Sequence, residues 1–358
     1  MSAEHIVLGL MGIFAALGAL DRIFGNRLGL GKDFEEGILA MGSLAMAMLG
    51  IICLAPVLAG LLRPVVVPLF GLLGADPAMF AGSLLASDMG AGPLAMELTD
   101  NRDAALLGGV ITGSMLGATL VFTLPVAMGI LREEDRPAMA KGILCGIVTI
   151  PLGILVGGLT AGFDPGMVLR NLIPIVIIGA AIAFGLWKAE KAMVRGFAAF
   201  GKGVVALVTV GLGAAILEEL TGITLIPGLA PLSEGFQTVG AIAIVLAGAF
   251  PLVAVLTKLL RRPLMALGGK LGIGDTGAAG LIASLANSIA TLNLVKDMNQ
   301  RGKVVNIAFA VSGAFVFGDH LGFTAGFAPE MLVPMILGKL TGGISAIALA
   351  LLLTKDAK

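Results

Sequence analysis

The sequence contains no tyrosine, one tryptophan, two cysteines and two histidines. Cys53 and Cys145 lie in apolar runs without CxxC spacing, which argues against a disulfide framework or a cysteine-based metal site. His5 and His320 are too few for a histidine-rich metal centre. Lys and Arg number 23, as do Asp and Glu, so the chain lacks the basic surface that nucleic-acid binding requires. We predict no metal and no cofactor.

The sequence also lacks the short motifs of common enzymes. GxxxxGK[ST], HExxH and GxSxG do not occur, so nothing indicates ATP-driven or hydrolytic chemistry. Residues 272–277 match GxGxxG, yet no strand precedes them and no βαβ unit surrounds them. The dinucleotide-binding interpretation therefore fails.

Apolar residues are what the chain has in abundance. They make up 58% of it and charged residues only 13%, whereas soluble domains carry roughly 25% charged residues. Unbroken apolar runs of helical length predict an all-α polytopic membrane protein. Eleven such segments lie at 5–20, 37–62, 77–97, 104–131, 138–161, 168–187, 196–217, 237–260, 276–296, 304–323 and 331–354. Short proline-bearing pieces at 64–73 and 263–271 are expected to lie along the membrane interface.

Two of the segments are interrupted near their centres. The first, 77–97, carries Asp88 followed by Gly90, Gly92 and Pro93, and the second, 276–296, carries Asn287 at the matching place 199 positions later. Broken apolar segments at corresponding places in two halves of a chain are typical of a transporter's substrate site.

Further matches extend this internal similarity, among them Arg63-Pro64 with Arg262-Pro263. They predict two repeats of five segments, at 1–161 and 196–358, joined by a linking span within 162–195.

The distribution of positive charge predicts the topology. If all eleven segments cross, the loops place 13 Lys and Arg on one side and 10 on the other, which favours no orientation. If the two broken segments are re-entrant hairpins, 19 fall on one side, and the other keeps Arg63, Arg102, Arg170 and Lys339. The positive-inside rule favours the second arrangement. It gives nine full spans plus two hairpins, inverted repeats, an external N-terminus and a cytoplasmic C-terminus.

The hairpin tips supply the first candidate substrate-binding residues. Asp88 is an ionisable residue within an apolar segment, which is a functional-site hypothesis by default, and Ser87 precedes it. Asn287 and Ser284 offer neutral donors and acceptors at the second tip. The alternative for Asp88 and for Asn287 is that each only caps the second arm of its hairpin.

Asp319 and His320 are the remaining candidates, within a GDHLGF stretch that interrupts the segment 304–323. Histidine changes charge near neutral pH, so His320 is a candidate proton relay or pH gate. The alternative is an interfacial turn that ends the span.

Several sequence stretches resemble the bacterial ethanolamine utilization permease family. The matching pieces include FEEG at 34–37, LAPVLA at 54–59, MFAG at 79–82, DMG at 88–90, GSM at 113–115, GIVTIP at 146–151, IPGL at 226–229, LAN at 285–287, RGKV at 301–304, AFAVS at 308–312 and GDHLGF at 318–323. They extend over nearly the whole chain.

This resemblance implies a multi-pass protein of the bacterial inner membrane that takes up ethanolamine, whose ammonium would face Asp88. It leaves open whether a proton or sodium ion is coupled, and whether the protein is a homo-oligomer. A cation channel and a membrane-embedded enzyme using Asp319 and His320 remain as alternatives from other classes.

Overall fold

The computed structural model describes residues 3–354, and in that range it consists of helices and their connections. In the first half, long helices flank a short broken pair. The helices are α1 (Ala3–Ile23), α2 (Leu30–Leu72), α3 (Ala78–Leu84), α4 (Ala91–Leu98), α5 (Arg102–Ile130) and α6 (Arg136–Thr160).

A single long helix follows and is kinked at Ala189, where the backbone leaves helical geometry. Its two parts are α7 (Pro165–Ala189) and α8 (Lys191–Thr221). The order of the first half then recurs in α9 (Leu232–Leu271), α10 (Gly274–Ala286), α11 (Ser288–Leu294), α12 (Gln300–Gly313), α13 (Asp319–Phe327) and α14 (Leu332–Leu353).

Eight helices of the described range are long and apolar enough to cross a membrane: α1, α2, α5, α6, α7, α8, α9 and α14. They coincide with eight of the nine predicted full spans. The ninth, 304–323, is divided between α12 and α13 by the non-helical residues 314–318. The re-entrant course of the hairpins and the inversion of the repeats stay predictions.

The proline-bearing pieces at 64–73 and 263–271 are not separate elements, because they continue the preceding helices, whereas their place along the membrane interface stays a prediction. Helix α2 continues through Pro64 and Pro68, and α9 continues through Pro263. A membrane helix tolerates proline because neighbouring helices and local adjustment satisfy the freed backbone groups.

The count of Lys339 among the positive charges of the outer side was wrong. This residue lies within α14 and is 1% exposed. Without it, the side poor in positive charge keeps Arg63, Arg102 and Arg170, so the predicted asymmetry increases. Lys355 and Lys358, counted on the cytoplasmic side, lie outside the described residues.

Helix α5 is wound mostly as a π-helix, from Leu107 to Gly117 and from Thr119 to Thr123. Its glycines let it pack directly on the backbone of the first hairpin. A methyl group at Gly117 would overlap the carbonyl oxygen of Leu85, and one at Gly82 would overlap that of Gly108. This close packing fixes the hairpin against α5.

Corresponding helices of the two halves pack against each other. Helix α2 packs on α9 and α6 on α14. Side-chain hydrogen bonds also join corresponding parts: Thr119 of α5 donates to the Val311 carbonyl of α12 at 3.0 Å, and Thr149 of α6 donates to the Gly342 carbonyl of α14 at 3.1 Å. Such pairing is what a two-fold relation between the halves predicts.

Candidate functional site

The tip of the first hairpin presents Asp88 on non-helical backbone. Helix α3 ends at Leu84, two extended residues follow, and a single turn spans Ser87–Met89. Gly90 then adopts φ +98°, in the left-handed region that favours glycine, and α4 begins at Ala91. Gly90, two residues after Asp88, therefore allows this sharp turn, and the Asp88 carboxylate faces the protein's interior.

Asp88 does not cap the second arm of the hairpin. The N-cap position of α4 is Gly90, and no side chain among the described residues bonds to it there. The Asp88 carboxylate instead lies 3.5 Å from Nε2 of His320, with the Asp88 side chain 19% and that of His320 2% exposed. The structure thus joins two candidates that are far apart in sequence.

His320 is held by the break between α12 and α13. Phe315, inside this break, has φ +61°, a strained conformation for a residue with a bulky side chain. The Phe315 ring lies 5.2 Å from the imidazole of His320 and makes an edge contact with Phe122 at 5.6 Å. His320 is therefore buried beside aromatic rings and does not form an interfacial turn.

The Asp88–His320 pair borders a small internal cavity of about 30 Å³. This is room for about one water molecule. Its other lining residues include Asp319, Phe122, Phe315 and Met89. A larger cavity of about 710 Å³ shares Asp88, Met89, Phe122 and Asp319 with it, so the inner site continues into open space between α2, α5 and α8.

Asn287 lies apart from Asp88. Its side-chain oxygen accepts a hydrogen bond of 2.7 Å from the backbone N–H of Ile289, so it caps α11. Asn287 lines a third cavity of about 430 Å³ together with Asp33, Glu36, Lys258 and Asp319. Asp319 is the candidate that connects the two hairpin tips, since it lines all three cavities.

Ser87 and Ser284 are fully buried beside the tips. Neither hydroxyl has a hydrogen-bond partner within the described range 3–354. Neither serine lines the three cavities that contain Asp319. The structure brings Asp88, Asp319 and His320 together, whereas substrate contact by Ser87, Ser284 and Asn287 stays a prediction.

The sequence interpretation missed Lys339, Phe122 and Phe315. Lys339 donates a hydrogen bond to the backbone carbonyl of Ser114, and its charge acts on Asp88 and His320. A signal for it existed, because a lysine inside an apolar segment of helical length is as unusual as Asp88. No sequence signal singles out Phe122 or Phe315 among the 17 phenylalanines.

Comparison with known families identifies the chain. Residues 3–353 match the family model described as "Ethanolamine utilisation protein, EutH". The chain belongs to the EutH family. No solved structure matches it.

Curated relatives support the same assignment. This EutH-family chain is 57% identical to the "Probable ethanolamine permease EutH" of Listeria monocytogenes, over 98% of the chain and 94% of that protein. It is 50% identical to the "Uncharacterized protein YxeR" of Bacillus subtilis, over 99% of the chain and 96% of the relative. It is 44% identical to the "Probable ethanolamine permease EutH" of Escherichia coli, over 99% of the chain and 96% of that protein. Its apolar helices and this kinship make the chain a multi-pass membrane protein.

The cluster of Asp88, Asp319 and His320 has chemistry that could hold a small organic cation. Two carboxylates, on Asp88 and Asp319, border space that is otherwise lined mainly by apolar and aromatic groups. Aromatic faces attract ammonium groups, and low polarity strengthens the attraction to a carboxylate.

Proposed function

We propose that this protein carries ethanolamine across the bacterial cytoplasmic membrane by alternating access to the Asp88–Asp319–His320 site. The observation that carries the proposal is Asp88 itself, a carboxylate held at the tip of a broken helix beside an internal cavity. Relatives named as probable ethanolamine permeases supply the substrate.

Ethanolamine offers one ammonium, one hydroxyl and two methylene groups. In the proposed complex its ammonium pairs with Asp88 and lies against Phe122 and Phe315, which line the same cavity. The hydroxyl bonds to His320 or Asp319. The inner cavity holds about one water in this conformation, so the substrate occupies the space that continues into the 710 Å³ cavity.

The helix order supports an inverted-repeat transporter. Each half contains a helix, a very long helix, a broken hairpin, a helix at the site and a final helix. With α7 as an extra span between them, the second half has the opposite orientation to the first, provided that both hairpins are re-entrant. Transporters of this design bind substrate where two discontinuous helices meet.

The two large cavities favour an inward-facing conformation. They are lined by Lys202 and Val126 on one side of Asp319, and by Asp33, Glu36 and Lys258 on the other. Asp33 and Glu36 lie in the first two turns of α2 and Val126 near the end of α5, at helix ends that the positive-inside rule assigns to the cytoplasm, and the same rule counts Lys202 and Lys258 on that side. Asp33 and Glu36 add negative charge there, which attracts a cation.

The test is counterflow of radiolabelled ethanolamine into liposomes containing the purified protein and loaded with unlabelled ethanolamine. A carrier gives transient, saturable accumulation of label without any ion gradient. Imposed proton or sodium gradients then reveal whether either ion is coupled.

Two results would contradict the proposal. Conductance that does not saturate with ethanolamine concentration identifies a channel, and chemical conversion of ethanolamine by the detergent-purified protein identifies an enzyme. Protein-free liposomes measure leakage of the neutral amine and are subtracted.

A further inference from the structure

Lys339 is a buried basic residue near the candidate site, and binding of a cationic substrate gives it no obvious role. It lies near the middle of α14, is 1% exposed, and its ammonium donates to the Ser114 carbonyl. It forms no ion pair within 4.0 Å of its ammonium with the acids of the described range. An ammonium buried in this way is costly unless nearby negative charge balances it.

The position of Ser114 puts this ammonium behind the first hairpin tip. Ser114 follows Gly113, and a methyl group at Gly113 would lie only 3.1 Å from the backbone nitrogen of Ser87. The carbonyl that accepts from Lys339 therefore belongs to the turn of α5 that packs on the tip carrying Asp88. This position puts the Lys339 charge within electrostatic range of Asp88 and of His320, without a direct contact to either.

The formal charges of these groups define how much positive charge the site can take. Asp88 and Asp319 contribute two negative charges, Lys339 contributes one positive charge, and the neutral imidazole of His320 contributes none. With both carboxyls ionised and Lys339 protonated, the groups around the tip sum to one negative charge, in surroundings of low polarity. Lys202 also lines the larger cavity but is exposed, so its charge is not part of this sum. One ammonium group of a substrate balances this negative charge, whereas a second would leave an uncompensated buried charge.

We infer that Lys339 is a resident counter-cation that limits the substrate site to one positive charge, so that the protein selects monoamines and rejects diamines of equal length. The inference rests on the proposed function and adds the basis of its charge selectivity. Lys339 is a positioning and specificity residue here, since it acts through Asp88 and need not contact the substrate.

A purely structural role for Lys339 makes a different prediction. If its ammonium only joined α14 to α5 through the Ser114 carbonyl, replacing it would lower stability and slow transport of every substrate alike. The relative preference between a monoamine and a diamine would not change. The ratio of two competitors therefore separates the two roles.

The experiment measures how straight-chain propanolamine and trimethylenediamine compete with labelled ethanolamine in the counterflow assay at pH 7. The two competitors match in length and differ by a hydroxyl in place of the second ammonium. Both amino groups of the diamine are largely protonated at this pH, because primary amines titrate near lysine. We expect propanolamine to inhibit wild-type protein at a concentration about tenfold or more below that of the diamine.

Lys339→Met removes the charge and keeps an apolar chain of similar length. We expect it to shift the ratio by about tenfold or more toward the diamine, since two positive charges then balance Asp88 and Asp319. Lys339→Arg retains the charge and should keep the wild-type ratio even if transport is slower. Lys141→Met is the matched control: Lys141 is exposed and bonds to the Leu353 carbonyl, away from the site.

The outcomes separate the inference from the proposed function. Absence of wild-type counterflow would reject ethanolamine transport itself. Normal counterflow with equal inhibition by both competitors overturns the charge limit, even if Lys339→Met fails to insert. An unchanged ratio in a well-folded Lys339→Met protein, or a lost preference in Lys339→Arg, overturns it as well.

Discussion

The two hairpins use different residues to turn the backbone between their two arms. In the first, Gly90 makes the turn, α5 packs on the backbone, and Asp88 is left with its negative charge beside His320. In the second, the Asn287 side chain caps α11, and the non-helical residues 314–318 donate backbone hydrogen bonds to the tip. The Asp88 side chain has no capping role at the first tip, whereas the Asn287 side chain at the second tip caps its own hairpin arm.

The partner of each hairpin differs accordingly. Helix α5 runs without interruption past the first tip because π-helical winding and glycines allow close approach. Its counterpart in the second half breaks at residues 314–318, and the break hydrogen-bonds the second tip: Phe315 N–H donates to Ser284 O at 3.0 Å and Phe317 N–H to Leu285 O at 2.9 Å. This break brings Asp319 and His320 to the first tip. The second half of the chain therefore contributes these two residues to the candidate site because its helix is interrupted.

The two hairpins are predicted to enter the membrane from opposite sides, so we expect an all-or-none difference in their labelling from outside. Single cysteines at exposed Gly71 and Asp100, which flank the first hairpin, should react with an impermeant thiol reagent added outside. Cysteines at exposed Lys270 and Gln300, which flank the second, should react only after the cytoplasmic face is opened. Lys303 is unsuitable, because it is buried in an ion pair with Asp135.

The native Cys53 and Cys145 are buried and give little background. If Gly71 and Asp100 reacted from opposite faces, the first hairpin would be a full span and the inverted repeat would be lost.

Asp88→Asn should cause the largest functional loss. The substitution keeps the volume but removes the charge that the substrate's ammonium pairs with. Breaking a buried charge pair from one side costs about 3–5 kcal/mol, equivalent to about 10²- to 10³-fold in affinity. The measurement is the half-saturating ethanolamine concentration in counterflow, at equal protein incorporation. Uptake within about twofold of wild type would show that Asp88 does not bind the ammonium.

His320→Gln should have a moderate effect, mainly on pH dependence. Asp88, Asp319 and the Lys339 charge surround this imidazole. Its protonation adds positive charge beside Asp88 and opposes the ammonium, so wild-type uptake should fall as pH decreases through the titration of His320. Ethanolamine stays protonated between about pH 5 and 8. The variant should flatten the acidic side of the leak-corrected pH profile; an unchanged profile argues against an electrostatic role.

Asn287→Ala should have the smallest effect on transport. Loss of the α11 cap should lower the free energy of unfolding by about 1 kcal/mol, with ethanolamine affinity within about twofold of wild type. Asn299→Ala is the matched control, since Asn299 caps α12 through Gly302 N–H at 2.6 Å, outside the hairpin. A loss of affinity with Asn287→Ala but not with Asn299→Ala would make Asn287 a substrate ligand.

Much of the fold was predictable because the membrane limits the possibilities. Backbone groups in lipid must be satisfied internally, so long apolar runs become helices, and eight predicted spans are helices of the structure. Breaks were equally visible: Asp88-Met89-Gly90 and the GDHLGF stretch both interrupt helices. The prediction that proline separates short pieces from the preceding helices was wrong, because α2 and α9 continue through these prolines.

The sequence by itself determined the membrane class, the places where helices break and the unusual polar residues at those breaks. Only the tertiary structure decided which of these residues meet. Asp88 pairs with His320 and not with the second hairpin, and Lys339 reaches the back of the tip through Ser114. Helix periodicity and hydrophobicity depend on neighbours along the chain, whereas these contacts depend on how α5, α13 and α14 pack. An apolar helix face can pack against many other apolar faces, so its sequence does not specify which one it contacts.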